Sequence, residues 1–222
     1  MTYMGDRLIK AVLFDFDGVV MDTEKQYSVF WDEKGAQYLG LERFGSMIKG
    51  STLRQIFHDY FSGKEDLRRE ISTSLAAFEA GMDFEYIPGV KQFLEELKEE
   101  NVMTAIVTSS DKKKMSCVFG AHPELERLVD TVVTADAVTR SKPAPDCFNL
   151  AMERLQVSAA HTVVFEDSLF GLDAGRASGA FVVGLTTTNA RVLVAPRADA
   201  VIDDFVGLSY RKLEKLYRNE PC

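Results

Sequence analysis

Hydrophobic positions along this chain change their spacing twice. From Lys10 to Phe16 the apolar residues are nearly continuous, Ala11-Val-Leu-Phe14 running into Asp15-Phe16-Asp17-Gly18. A dense apolar run ending in a turn signal predicts a buried strand over 10–16. From Glu24 the spacing turns helical, with Tyr27, Phe30, Trp31, Lys34 and Tyr38 predicting a helix over 24–39. Gly40 and Gly45 punctuate a loop, Ser51 or Thr52 caps a second helix carrying Ile56, Phe57, Tyr60 and Phe61, and Gly63 closes it. A third helix over 64–79 carries Leu67, Ile71, Leu75 and Phe78 on one stripe and ends at Gly81. No strand pattern interrupts 24–80, which predicts a small helical bundle.

Beyond Pro88-Gly89 helix and strand alternate. Val90, Phe93, Leu94 and Leu97 share a helical face, and strands are predicted over 102–107, 131–134, 162–166, 181–185 and 200–202. Helices near 111–120, 146–155, 168–178 and 209–217 fall between or after them. Strands alternating with helices predict an α/β fold with right-handed crossovers, a doubly wound, Rossmann-like parallel sheet. The first strand belongs to this sheet although the bundle separates it from the others. Residues 1–22 and 88–222 therefore read as the core, and 23–87 as an inserted α-helical cap domain.

Composition narrows the function classes. A hydrophobic fraction of 46% and a charged fraction of 27% are ordinary for a globular protein. No apolar run reaches the ~18 residues of a membrane span, and the N-terminus lacks the apolar stretch of a signal peptide, so a cytoplasmic protein with no membrane partner is expected. A net charge of −8 argues against nucleic acid. The run Lys112-Lys113-Lys114 reads as a solvated helix face. Cys117, Cys147 and Cys222 are an odd count without metal spacing, and His58, His122 and His161 are scattered, so neither type predicts a site. A monomer acting on a small molecule is expected.

The candidate chemistry lies at strand ends. Asp15 and Asp17 are two apart on a strand and point the same way, at the carboxyl end where open parallel sheets bind ligands. Gly18 can take φ > 0 and fold the chain back over them. Three later strands end in polar clusters: Thr108-Ser109-Ser110-Asp111, Ser141-Lys142-Pro143-Ala144-Pro145-Asp146, and Glu166-Asp167-Ser168. The first offers a hydroxyl and free N–H groups at a helix N-terminus, an anion site, although helix capping accounts for the same residues. In the second, Pro143 and Pro145 aim Lys142, whose ammonium would reduce repulsion between an anionic nucleophile and an anionic substrate. The third brings the carboxyl groups at one rim to four, Asp15, Asp17, Glu166 and Asp167, unless Asp167 or Ser168 merely caps a helix. Such crowding calls for a hard cation, and oxygen ligands suit Mg²⁺.

In this order, these motifs resemble the haloacid dehalogenase superfamily over essentially the whole chain. The resemblance implies a phosphatase that hydrolyses a small phosphate monoester through an aspartyl-phosphate. Asp15 would be the nucleophile and Asp17 the general acid/base, with Thr108, Ser109 and Lys142 holding the phosphoryl group. Mg²⁺ would be bound by Asp15, the Asp17 carbonyl and Asp167, with Glu166 in or beside that shell. The insert after the first motif is similar to the cap of the phosphoglycolate phosphatase and β-phosphoglucomutase subgroup, which makes a phosphomutase the first alternative. Two departures favour the phosphatase: the mutases' cap-helix histidine corresponds to Tyr27, and their arginine three after a cap-loop glycine finds Leu53 here, with Arg54 one later. A noncatalytic phosphate-binding module is the alternative from another class; it leaves the cap and Asp17 unexplained.

Overall fold

The computed structural model describes residues 8–220, and Cys222 lies outside them. In chain order, β1 (Ala11–Phe14) is followed by α1 (Glu24–Leu39), α2 (Phe44–Met47), α3 (Leu53–Tyr60), α4 (Glu65–Ala80) and α5 (Val90–Glu99). Then come β2 (Met103–Val107), α6 (Lys112–Ala121), α7 (Pro123–Leu128), β3 (Thr131–Val133) and α8 (Asp146–Leu155). The chain closes with β4 (Thr162–Glu166), α9 (Leu169–Ser178), β5 (Phe181–Leu185), α10 (Arg191–Val194), β6 (Ala200–Ile202) and α11 (Tyr210–Tyr217). Six parallel strands lie in the order β3-β2-β1-β4-β5-β6. The chain reverses its winding between β1 and β4, the crevice where doubly wound sheets bind ligands. No helix among the described residues is long and apolar enough to cross a membrane.

Strand side chains alternate between two apolar layers, as the period of two requires. Val12, Phe14, Val163 and Phe165 face α5 and α11 on one side, and Ala11, Leu13, Val164 and Val182 face α8 and α9 on the other. Phe14 and Phe165 stack at 5.2 Å between centroids, with Phe93 edge-on to Phe14 at 6.2 Å and Phe205 5.0 Å from Phe165. The helices between β1 and α5 bury a separate core of Phe30, Trp31, Phe44, Ile48, Ile56, Phe61, Ile71 and Leu75. Their two connections to the sheet run side by side: Asp22 N–H donates to Glu85 O at 2.8 Å and Ile87 N–H to Val20 O at 3.0 Å.

Local differences from the sequence reading have local causes. The first strand stops at Phe14, because Phe16 O accepts from Val20 N–H at 2.8 Å and Met21 N–H at 3.0 Å, closing a turn in which Gly18 has φ +81°. The loop expected after Gly40 contains α2, whose Phe44 packs so closely on α1 that a Cβ at Gly35 would lie 2.2 Å from it. The one-turn helices α7 and α10 show no periodicity long enough to read. Thr52, rather than Ser51, caps α3, its hydroxyl accepting from Gln55 N–H while Gln55 Oε1 accepts from Thr52 N–H, a reciprocal capping box.

Phe165 sits at the centre of the aromatic group and is wholly buried. Phe165→Ala should lower unfolding free energy by about 3–5 kcal/mol, the usual cost of an emptied aromatic site, as urea denaturation would show.

Candidate active site

Past the end of β1 the ladder continues one residue, Asp15 N–H donating to Phe165 O at 2.9 Å. That bond sets the Asp15 side chain beside Glu166, the last residue of β4. Lys142, from the loop before α8, reaches between them. Its Nζ donates to Asp15 Oδ1 at 2.6 Å, Glu166 Oε1 at 2.5 Å and Val107 O at 3.2 Å. Glu166 Oε2 accepts from Asp167 N–H and Ser168 N–H, each at 2.9 Å, and from the Ser168 hydroxyl at 3.1 Å. The carboxylate thus sits on the N-terminus of α9, where negative charge is favoured. Glycine is required at 171, since a Cβ there would lie 1.7 Å from Glu166 Oε1.

Asp167 is different: it is 1% exposed, and neither carboxyl oxygen has a hydrogen-bond partner. Asp15, Glu166 and Asp167 can each bring an oxygen within 4.8 Å of the others. Burial, then the Glu166 charge, push the Asp15 carboxyl up to about 8 against the opposing pull of Lys142. The same two causes hold Asp167 well above the usual carboxylate range. Burial by itself would lower Lys142, but Asp15 and Glu166 outweigh it and raise it above the ordinary lysine value. Crowded oxygens with an orphaned carboxylate among them fit a hard divalent cation such as Mg²⁺. Asp15 and Asp167 have oxygens to offer it. Glu166, expected in or beside the metal shell, already has both oxygens occupied by protein donors, because it anchors Lys142 to α9.

Asp17 is fixed from three sides. The Thr23 hydroxyl and the Lys114 ammonium donate to Oδ1, and the Ser110 hydroxyl donates to Oδ2 at 3.0 Å. The solvated-face reading of Lys112-Lys113-Lys114 is therefore wrong for its last member: Lys112 and Lys113 are exposed, while Lys114 is buried. The available signal was that Lys114 lies on the inward stripe of α6 with Met115 and Val118. Thr108 is buried, and its hydroxyl accepts from Ser110 N–H at 3.0 Å, shaping the turn that presents Ser109 and Ser110. Asp111 caps α6 through Lys114 N–H, so capping accounts for part of this cluster. None of the three histidines lines the cavity: His58 is exposed, His122 bonds Phe84 O and His161 bonds Leu8 O.

A cavity of about 600 Å³ opens between the sheet end and the helical insert. Asp15, Asp17, Ser109, Ser110 and Lys142 line one side, and Tyr27, Trp31, Ile56, Phe57, Leu75 and Glu79 the other. Tyr27, read from the sequence as part of the α1 stripe, lines the cavity, its hydroxyl donating to Glu79 at 2.8 Å. Arg54 also lines the cavity and donates to Val138 O at 3.2 Å. Insert and core touch across the cavity where Ser109 donates to Gly50 O at 3.1 Å and Gln55 Nε2 to Lys142 O at 2.9 Å.

Comparison with known proteins agrees with this geometry. A sequence model of the haloacid dehalogenase-like hydrolases matches residues 12–185. The validoxylamine A 7'-phosphate phosphatase of Streptomyces hygroscopicus subsp. limoneus is 28% identical over 206 residues, 89% of this chain and 94% of that protein. The phosphorylated carbohydrates phosphatase of Thermotoga maritima is 30% identical over 186 residues, covering 77% and 82%. Among solved structures, β-phosphoglucomutase from Clostridium difficile superposes with a TM-score of 0.79 at 22% identity, covering 95% of this chain and 98% of that one, a likeness of fold.

Raising the Asp15 pKa from 3.8 to about 8 means that the folded, metal-free protein holds a proton the unfolded chain has lost. Unfolding free energy should then fall as pH rises from about 4 to about 8, by at most about 1.4 kcal/mol per pH unit for this group. Denaturation in EDTA across that range should show the decline. Asp15→Asn should reduce the decline without abolishing it, since the raised Glu24 and Asp167 carboxyls contribute with the same sign, and added Mg²⁺ should restore stability at the upper end.

Proposed function

The chain belongs to the haloacid dehalogenase-like hydrolases and is a phosphoric monoester hydrolase; on that premise we propose a Mg²⁺-dependent phosphatase that cleaves a small phosphate monoester through an aspartyl-phosphate. The observation that carries the reading is Lys142 held between Asp15 and Glu166, close to the unpartnered Asp167, with Asp15 and Lys142 on the cavity wall. In the first half, Asp15 attacks phosphorus, the bond to the leaving oxygen breaks, and Asp17 gives that oxygen a proton. In the second, Asp17 takes a proton from a water whose oxygen attacks phosphorus; the bond to Asp15 breaks, its carboxylate is restored and phosphate leaves. Asp15, the backbone carbonyl of Asp17 and Asp167 would hold Mg²⁺, which supplies charge neutralisation at the phosphoryl oxygens. Lys142 neutralises the same group from the other side, and Ser109 with the turn built on Thr108 offers it hydrogen bonds.

We assign residues 23–87 to a cap that excludes water and meets the leaving group. Support comes from its separate core, its paired connections and its share of the cavity wall. The wall also favours a substrate with a single phosphate over the bisphosphate a mutase must retain. Its cationic side chains are already engaged: Lys49 with Glu24 at 3.5 Å, Arg54 with Val138 O, and Lys142 with Asp15 and Glu166. Glu24, Glu79, Asp111 and Asp136 line it as well, so a second phosphate would meet net negative charge.

Phosphate release from sugar monophosphates should require Mg²⁺ and drop to background in Asp15→Asn, because the aspartyl-phosphate forms on the Asp15 carboxylate. Asp17→Asn should keep KM within a few-fold and slow turnover by about 10²–10⁴-fold, the usual worth of general acid–base catalysis. Incubation with β-glucose 1-phosphate and a catalytic amount of the 1,6-bisphosphate should give free phosphate faster than glucose 6-phosphate; the reverse order identifies a mutase.

A further inference from the structure

The reaction above makes no use of Lys114, although its side chain is entirely out of solvent. Nζ contacts Asp17 Oδ1, approaches Ser110 Oγ at 3.1 Å, and lies 5.2 Å from the centre of the Phe16 ring and 4.4 Å from that of Tyr27. Lysine is seldom fully buried without a partner, because an ammonium removed from water costs several kcal/mol. Ring faces attract a cation but leave its N–H groups without acceptors. Among the described residues, the Asp17 carboxylate and the Ser110 hydroxyl are the groups that accept from it.

We propose that Lys114 is a positioning residue for Asp17. With Ser110 it fixes the carboxyl at the cavity wall, in the orientation from which a proton reaches the leaving oxygen. Two of the three side chains that hold Asp17 join it to the insert: Thr23, the residue before α1, directly, and Lys114 through the Tyr27 ring on α1. That ring is itself tied to Glu79 on α4. The placement of the acid thus depends on the insert being seated, and Tyr27 keeps water from competing for the Lys114–Asp17 contact. This inference rests on the phosphatase reading.

A positioning role acts on proton delivery, so it is read out by the leaving group. When the phosphorus–oxygen bond of a sugar phosphate breaks, the alkoxide must take the Asp17 proton. From p-nitrophenyl phosphate the electron pair leaves on a stable phenolate that needs no proton. The parameter kcat/KM reports the steps through departure of the leaving group. In Lys114→Met, which keeps the side-chain bulk, kcat/KM with saturating Mg²⁺ should fall by about 100-fold on the sugar monophosphate turned over fastest and by no more than about 3-fold on p-nitrophenyl phosphate. Ser110→Ala removes the hydroxyl shared by Lys114 and Asp17 and should show the same selectivity at smaller size, which covers the case in which Lys114→Met does not fold. Equal losses on both esters, or no loss on either, would overturn the proposal. A wild-type protein that hydrolyses neither ester fails differently, taking the phosphatase reading with it.

Discussion

Four carboxyl groups at one end of a parallel sheet are the constraint on which the rest of the structure depends. Removing such charges from water costs several kcal/mol each, and their mutual repulsion adds to it. The chain offsets this with charges and dipoles brought from distant elements. Lys142 spans Asp15 and Glu166, the N-terminus of α9 holds Glu166, and Lys114 and Ser110 hold Asp17. What remains uncompensated is Asp167, and Asp15, which burial and then the Glu166 charge keep raised despite Lys142. The residual imbalance is itself informative, since a structural ion-pair network would be driven to satisfy every oxygen, whereas a metal site has to leave some free.

The sheet topology makes this crowding possible. Parallel strands deliver all their carboxyl ends to one edge, and the winding reversal between β1 and β4 opens a gap there that no crossover helix fills. Asp15 and Glu166 meet because the β1–β4 register runs one residue past the strand. Beside them the Phe148 ring of α8 lies 5.0 Å from Lys142 Nζ, while the stacked Phe14 and Phe165 pack the opposite face of the two strands.

The helical insert closes the site from above by contacts of mixed kind. Gln55 and Gly50 engage the core backbone and Ser109, while Tyr27 lies over Lys114. Its cavity face combines Trp31, Ile56, Phe57 and Leu75 with Glu24 and Glu79.

The sheet, the helices between β1 and α5 and the acids at the strand ends were legible along the chain, because each is written in neighbouring residues. Dense apolar runs mark strands, 3.6-residue stripes mark α1, α3 and α4, and Asp15, Asp17, Glu166 and Asp167 follow apolar strands directly. What the sequence left undecided were matters of distance between remote segments. Lys142 was marked by the prolines that follow it, whereas Lys114 looks like the rest of its lysine run, and only folding shows that it meets Asp17 across 97 positions, as Lys142 meets Asp15 across 127. The distinction between Glu166, saturated by α9, and its neighbour Asp167, left without a partner, was equally invisible, since it turns on which way two adjacent side chains point. Tertiary structure decided these because hydrogen bonding and burial belong to three-dimensional neighbourhoods, whereas periodicity belongs to the chain.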